Sequence, residues 1–255
     1  MPSKIPPITG EQAAKIASLR KRIPELQRLI TDKMRMEVLD ALAKRAERLK
    51  SNSQPGFTST KNEHIRIVNR GPAGEKYRSL ALHFMEGKAP AAVYPLYATP
   101  ALMPRYKPAT MSESDPRPVG SPEPFYRWAT GSLVATRKAK AARELAPNQF
   151  AIAVSGGSEA MIYAMTLDAI ENPDMAFFSP DVANAFCELD REEGIEDLIE
   201  FEPLEGLCAC AVYSEVTTYI YVSKNGGHYA LRSLRAGVHY ASWICRVSRT
   251  PLPLS

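Results

Sequence analysis

Nine prolines fall within residues 89–124, and this spacing constrains the fold more than any other feature of the 255-residue chain. Proline has no backbone N–H and a fixed φ, so it interrupts helices and central strands. We therefore expect this stretch to contain no helix and to form extended or edge-strand segments joined by turns. Its central part, "MPRYKPATMSESDPRPVG", predicts two short strands around a polar loop.

Helical patterns flank the proline-rich stretch. Apolar residues recur every three or four positions over residues 11–50, and Pro24 occupies a favoured first turn for the helix that runs to Lys50. A shorter helix is predicted over 75–87, ending at a glycine. Another is predicted from Pro122 to about residue 145.

The remainder of the chain mixes short strands with helices. Apolar runs predict strands over 149–154 and 175–181, and Ser158 is the expected N-cap of a helix over 158–170. Asn225-Gly226 lies between two β-rich runs and predicts a hairpin. Because the strands follow no regular βαβ alternation, the predicted fold class is α+β.

Charge is distributed unevenly along the chain. Residues 1–150 contain 26 Lys and Arg against 13 Asp and Glu, whereas residues 151–255 contain 6 against 15. A basic segment beside an acidic one predicts a polyanionic partner for the first and leaves the second able to hold a cation. The alternative is that both sets of charges form solvated helix faces.

Several functional classes are excluded by composition. The four cysteines form no C-x-x-C pair and, with four histidines, give no zinc pattern. No run of 18 apolar residues is present, and the first ten residues lack the apolar segment of a secretory signal. We therefore expect an intracellular protein with reduced cysteines and no membrane partner.

The segment "AIAVSGGSEAM" at 151–161 allows two interpretations. It is close to the S-G-G-x-D-S phosphate loop of the ATP pyrophosphatases, in which glycines let backbone N–H groups approach a pyrophosphate. Glu159 and Ala160 depart from that loop, because they stand where the loop has an aspartate and a hydroxyl. The other interpretation is a turn between a strand and a helix, where glycine pairs are common for steric reasons.

Five segments in order resemble a polymerase family. "FFSPDVANAFCELDRE" is similar to motif A of reverse transcriptases of the non-LTR retrotransposon type. Upstream, "LAPNQFAIAVSGGSEAMIYAM" resembles a segment of the same family, with matches at Gln149, Phe150, Gly156, Gly157, Glu159 and Ala160. The proline-rich stretch and the segment before it resemble the fingers, and the predicted hairpin resembles the one that leads into motif B. The resemblance covers about residues 55–238.

The resemblance implies roles for individual residues. Asp181 would be the metal-binding catalytic carboxylate for Mg²⁺, with Val182 beside it and Phe186 as the steric gate under the sugar. Lys107 and Arg117 would contact the incoming triphosphate. The basic residues of the 24–50 helix and of the following helix would track a nucleic-acid backbone. In the second helix these are Arg127, Arg137, Lys138, Lys140 and Arg143.

The family pattern is incomplete in this chain. The Gln-Gly-x-Pro part of the next block is missing, and no Asp-Asp pair exists for motif C, so Asp181 lacks partner carboxylates. The resemblance thus implies a truncated right-hand polymerase with a helical N-terminal extension and linker (1–60), a fingers-like region (61–150) and a partial palm (151–255), incomplete after about residue 238.

The functional expectation is a mobile-element fragment that is inactive as an RNA-directed DNA polymerase on its own. Its expected partners are an RNA or DNA template-primer and a complementing polypeptide. Two alternatives stay open at this point: a nucleic-acid-binding protein without catalysis, and an ATP pyrophosphatase-like enzyme that uses the SGGSEA loop.

Overall fold

A computed structural model describes residues 10–53, 55–56, 58–105, 117–147, 149–150, 154–174, 176–177, 191–214, 217–222 and 228–233. The described residues are mainly helical. The helices are α1 Gly10–Lys21, α2 Ile23–Arg28, α3 Asp32–Glu47, α4 Asn62–Arg70, α5 Gly74–Met85, α6 Val93–Ala98, α7 Pro124–Leu145, α8 Gly157–Glu171, α9 Arg191–Phe201 and α10 Pro203–Tyr213. The strands are β1 Ala101–Arg105, β2 Arg117–Ser121, β3 Thr217–Val222 and β4 His228–Ser233.

The N-terminal region is helical as expected, but the helix predicted over 24–50 is interrupted. Thr31 adopts an extended conformation between α2 and α3, and its hydroxyl accepts a hydrogen bond of 3.3 Å from the backbone N of Met34. This side-chain cap satisfies an N–H that the helix itself leaves open, so a new helix begins there. The apolar repeat continues across the break because both helices contribute to the same core, α2 through Leu26 and α3 through Val38, Leu42 and Ala46.

The prediction that the proline-rich stretch contains no helix is wrong. The short helix α6 lies inside it and includes Pro95 as its third residue. Because the first four N–H groups of a helix have no intrahelical acceptor, a proline there removes no hydrogen bond. The two predicted short strands are confirmed: β1 and β2 pair antiparallel, with Ala101 opposite Ser121.

The four described strands form one mixed sheet in the order β2-β1-β3-β4. The predicted hairpin is confirmed by the antiparallel pairing of β3 with β4, in which Thr217 lies opposite Ser233. The inner strands β1 and β3 run parallel, with Ala101 opposite Ile220. The sheet therefore joins the proline-rich stretch to a hairpin more than 100 residues later. Most of the described chain is helical, so the structure does not confirm the predicted α+β class. The polymerase fingers and palm arrangement stays a prediction.

The core is centred on α10, in which every residue after Pro203 is buried. This helix packs on α1, α2, α5, α6 and α9. At Gly206 a Cβ would lie 2.4 Å from Cγ1 of Ile199, so the glycine permits the close crossing of α9 and α10. A single hydrophobic cluster contains residues from the predicted N-terminal extension, fingers-like region and partial palm. Examples are Leu42, Trp128 and Leu207, in that order.

An aromatic cluster joins α7 to α3 and α5. Trp128 is completely buried and stacks on Tyr77 at 5.2 Å between ring centroids, with the planes 10° apart. Its indole N–H donates a 3.0 Å hydrogen bond to the backbone oxygen of Leu42. The ring of Phe125 meets Trp128 edge-on. These contacts fix the separation of α3 and α7.

A buried carboxylate joins α5 to the N-terminal helices. Glu86 is 2% exposed and accepts hydrogen bonds of 2.5 Å from Arg35 and Lys88, while Gln27 donates to its backbone oxygen at 2.8 Å. Burial raises the pKa of Glu86, but the hydrogen bonds from Lys88 and Arg35 outweigh burial and hold the pKa below its ordinary value.

We expect Glu86→Gln to lower the free energy of unfolding by about 2 kcal/mol at neutral pH, because two cations lose their buried partner. Since the folded-state pKa of Glu86 is depressed, its contribution is present above the ordinary glutamate pKa and is lost as the pH falls through the folded-state value. Urea unfolding of wild type and variant at neutral and acidic pH tests this. A difference between the two proteins that stays constant with pH would contradict the assignment.

Candidate nucleic-acid interface

A basic groove lies between α7 on one side and α3 with the residues that follow it on the other, with a volume of about 890 Å³ and an opening to solvent. We call it the α3–α7 groove. Its walls carry two carboxylates, Glu37 and Asp40, and six cations: Lys44, Arg45, Arg48, Lys50, Arg127 and Lys138. The hydrogen bond from Trp128 of α7 to the backbone oxygen of Leu42 of α3 connects the two helices on either side of the groove.

Both carboxylates of the groove are already neutralised within the protein. Asp40 pairs with Lys44 at 2.6 Å, one turn along α3, and Glu37 pairs with Arg137 at 2.9 Å. Four groove cations have no acidic partner among the described residues: Arg45, Arg48, Lys50 and Lys138. The groove thus presents unbalanced positive charge, which attracts polyanions.

Arg45 is held differently from the other cations. Its guanidinium lies on the backbone of α7 at Gly131, where an added Cβ would be 2.4 Å from Nη2 and 2.6 Å from Cζ. The side chain is half-buried, and its Nε has no hydrogen-bond partner among the described residues. Burial lowers the pKa of Arg45. A mid-helix glycine in α7 is therefore what lets the guanidinium occupy this position.

Arg127 lies on the α7 wall close to a buried carboxylate. Burial lowers the pKa of Arg127, while the charge of Glu123 opposes that shift. Glu123 is completely buried and accepts hydrogen bonds from the backbone N and the hydroxyl of Thr58, at 2.6 and 2.8 Å. This network anchors the segment after α3 to the start of α7, at the edge of the groove.

Two of the predicted nucleic-acid contacts have partners inside the protein. Arg137 pairs with Glu37 at 2.9 Å and with Glu202 at 3.1 Å, and its side chain is only 12% exposed. Lys140 lies 3.7 Å from Glu202, donates to the backbone oxygen of Phe201 and sits 4.6 Å above that ring. The structure gives both side chains a role in fixing α7 to the α9–α10 junction. Their contact with nucleic acid stays a prediction.

The residues assigned to polymerase chemistry are largely beyond what the structure describes. Asp181, Val182, Phe186 and Lys107 lie outside the described residues, and Arg117 begins β2 opposite Arg105. Within the described part of the chain, no group of three or more His, Cys, Asp or Glu could hold a metal ion. The Mg²⁺ assignment therefore stays a prediction, and no chemical step is derived through it.

The two glycines of the SGGSEA segment are required by the backbone. Gly156 has φ +65 in the left-handed region and is the N-cap of α8, so the expectation that Ser158 caps this helix is wrong. At Gly157 a Cβ would lie 1.8 Å from the carbonyl oxygen of Phe150. The turn accounts for both glycines without a bound phosphate. Of the strand predicted over 149–154, the described residues are not in a strand, and 151–153 lie outside them.

The cations of the groove can be predicted from the sequence, but which of them lack acidic partners and which one is held in place cannot. The basic face of α3, the basic residues of α7 and the i,i+4 spacing of Asp40 and Lys44 are visible in the sequence, whereas the pairing of Glu37 with Arg137 exists only once the two helices have packed. The role of Gly131 was also missed. A glycine inside an otherwise well-formed helix was the available signal, because it destabilises a helix and often has a packing reason.

No family model matches the chain, and no curated protein matches its sequence. The likeness to reverse transcriptases thus rests on the motifs themselves. Each described helix is too short or too polar to cross a membrane.

Proposed function

We propose that this protein binds nucleic acid through the α3–α7 groove and is a reverse-transcriptase-like fragment without polymerase activity of its own. One observation carries the binding proposal: the groove holds four cations without acidic partners among the described residues, while both of its carboxylates are neutralised. The family assignment is supported by the order of motifs along residues 55–238.

A polyanion fits the groove better than a small anion does. Arg45 lies near the end of α3 and Arg48 is the residue that follows the helix, about one turn further along, while Lys138 lines the opposite wall on α7. Cations spread along an open groove match a chain of phosphates, each of which releases counterions when it is neutralised. An enclosed pocket with a few converging polar groups would be typical of a small-molecule site instead.

The binding proposal predicts strong salt dependence. With four phosphates neutralised on a single strand, the affinity is expected to fall by about 50-fold between 50 and 200 mM salt, since each contact contributes about −0.7 to the logarithmic slope. Fluorescence anisotropy with a fluorescein-labelled single-stranded RNA measures this slope. Binding that is insensitive to salt would contradict a backbone-tracking groove.

The fragment is expected to lack polymerase activity alone. In primer extension with Mg²⁺ on a primed RNA template, we expect no extended product, because motif C is absent from the sequence. Asp181→Ala is the matched control for any residual signal. Extension that survives this substitution would remove Asp181 from the chemistry, and robust extension by the chain alone would contradict the proposal.

A complementing polypeptide is the second expected partner, and α8 supports it. Its large apolar side chains are exposed, including Ile162 at 59%, Tyr163 at 71% and Ile170 at 71%. The charged residues of α8 are all acidic, so a fitting partner has an apolar face bordered by basic residues. The expected partner is a polypeptide that supplies the missing motif C.

The ATP pyrophosphatase-like alternative remains testable through Gly156 of the SGGSEA segment. ATP would protect the protein from thermal unfolding, and the protection would be lost on Gly156→Val.

A further inference from the structure

The contact between Arg45 and Gly131 is the most specialised feature of the α3–α7 groove. Three guanidinium atoms of Arg45 would lie within 2.8 Å of a Cβ placed at Gly131. Any other residue at that position would push the guanidinium away. Arginine side chains on protein surfaces are normally free to move, so this contact fixes one cation of the groove against a rigid helix.

The charge of Arg45 is not balanced within the described part of the protein. No carboxylate there pairs with it, and its Nε has no acceptor there. Arginine stays protonated at neutral pH, so a half-buried charge remains without a counterion. Such a charge costs free energy that an anionic ligand recovers by binding to it.

The chemistry of the side chain selects the kind of anion. A guanidinium presents N–H donors in a planar fork that matches two oxygens of a phosphate or a carboxylate. Arg48 lies about one turn further along, just after α3, and Lys138 lies on the opposite wall, so the surroundings repel cations and favour a ligand with successive negative charges.

We propose that Arg45, held in place by Gly131, is a fixed binding site for one phosphodiester group of a bound nucleic-acid strand. Both non-bridging oxygens accept hydrogen bonds from its terminal Nη groups, because Nε is buried and out of reach of a ligand. This inference rests on the proposed function of the groove and adds to it a defined anchor. The other groove cations attract the strand through their charge, whereas Arg45 also holds one phosphate through hydrogen bonds from a guanidinium whose position is fixed.

Two conservative variants distinguish the contribution of the Arg45 charge to RNA binding from the contribution of its fixed position. Arg45→Lys retains the positive charge but loses the planar fork, and Gly131→Ala retains Arg45 but displaces its guanidinium. Each is expected to weaken binding of the fluorescein-labelled single-stranded RNA by about tenfold, which is the effect of losing one charge-assisted hydrogen-bond pair. Arg48→Lys is the matched control and is expected to change the affinity less than about twofold, since Arg48 is exposed and acts as a point charge.

A double variant tests whether the two residues act together. In an Arg45→Ala background, Gly131→Ala is expected to have no further effect on RNA affinity. Alanine is the better helix former, so the melting temperature of Gly131→Ala is expected to equal or exceed that of wild type. An Arg45→Lys variant that binds like wild type would overturn the anchor and leave salt-dependent binding by the groove intact. Wild-type protein that does not bind the RNA at all would overturn both proposals.

Discussion

Reversing the charge of two groove arginines is expected to reduce RNA affinity by about 100-fold or more at low salt, since each lost charge-assisted contact is worth about 1.5–3 kcal/mol. The variant is Arg45→Glu combined with Arg48→Glu. Both side chains line the groove, Arg45 from the last turn of α3 and Arg48 from the residue that follows it, and neither has an acidic partner among the described residues. Reversal removes two cations and introduces two anions that repel the phosphate backbone.

The control for this experiment has the same change in net charge at exposed positions outside the groove. Lys33→Glu combined with Lys76→Glu alters the first turn of α3 and the exposed surface of α5. We expect this control to change the affinity by about tenfold at most, through the long-range field, and to lose even that effect at higher salt. Equal losses for the two double variants would mean that net charge, and not the groove, determines binding.

Truncating the buried tryptophan is expected to have the largest effect on stability. Trp128→Ala should lower the free energy of unfolding by about 4 kcal/mol, because a large cavity forms and the stacking with Tyr77 is lost. The hydrogen bond from the indole to Leu42 is lost as well. Urea unfolding followed by circular dichroism measures the change.

The matched control is an aromatic residue on an exposed helix. Tyr163→Ala on α8 removes a side chain that is 71% exposed and is expected to change stability by less than about 0.5 kcal/mol. If Trp128→Ala costs no more than Tyr163→Ala, the aromatic cluster does not hold α3 and α7 together. Trp128→Phe keeps an aromatic ring in the cluster, so it is expected to have an intermediate effect.

The parts of the fold that are determined by residues close together in the sequence could be predicted from it. The hairpin of β3 and β4 follows from Asn225-Gly226, and α7 follows from the helix-start signal at Pro122, two residues before the helix begins at Pro124. The parallel pairing of β1 with β3 could not be predicted, because no local pattern shows which distant strand completes a sheet.

The helix α10 escaped prediction for a related reason. Its segment "LEGLCACAVY" is buried on every side, so it has no polar face and no amphipathic period to reveal a helix. At the candidate site, the charges were visible in the sequence. The contact of Arg45 with Gly131 was not visible there, because the two residues are 86 positions apart and meet only once their helices have packed.

The position of α10 along the chain has a consequence for the order in which the protein assembles during synthesis. Leu26 and Leu207 share one core although about 180 residues separate them. The helices α1, α2, α5 and α6 leave the ribosome long before the helix they surround. The parts of their apolar faces that α10 covers therefore stay exposed until Tyr213 has emerged, and over this interval we expect the nascent chain to be open to chaperones and to aggregation.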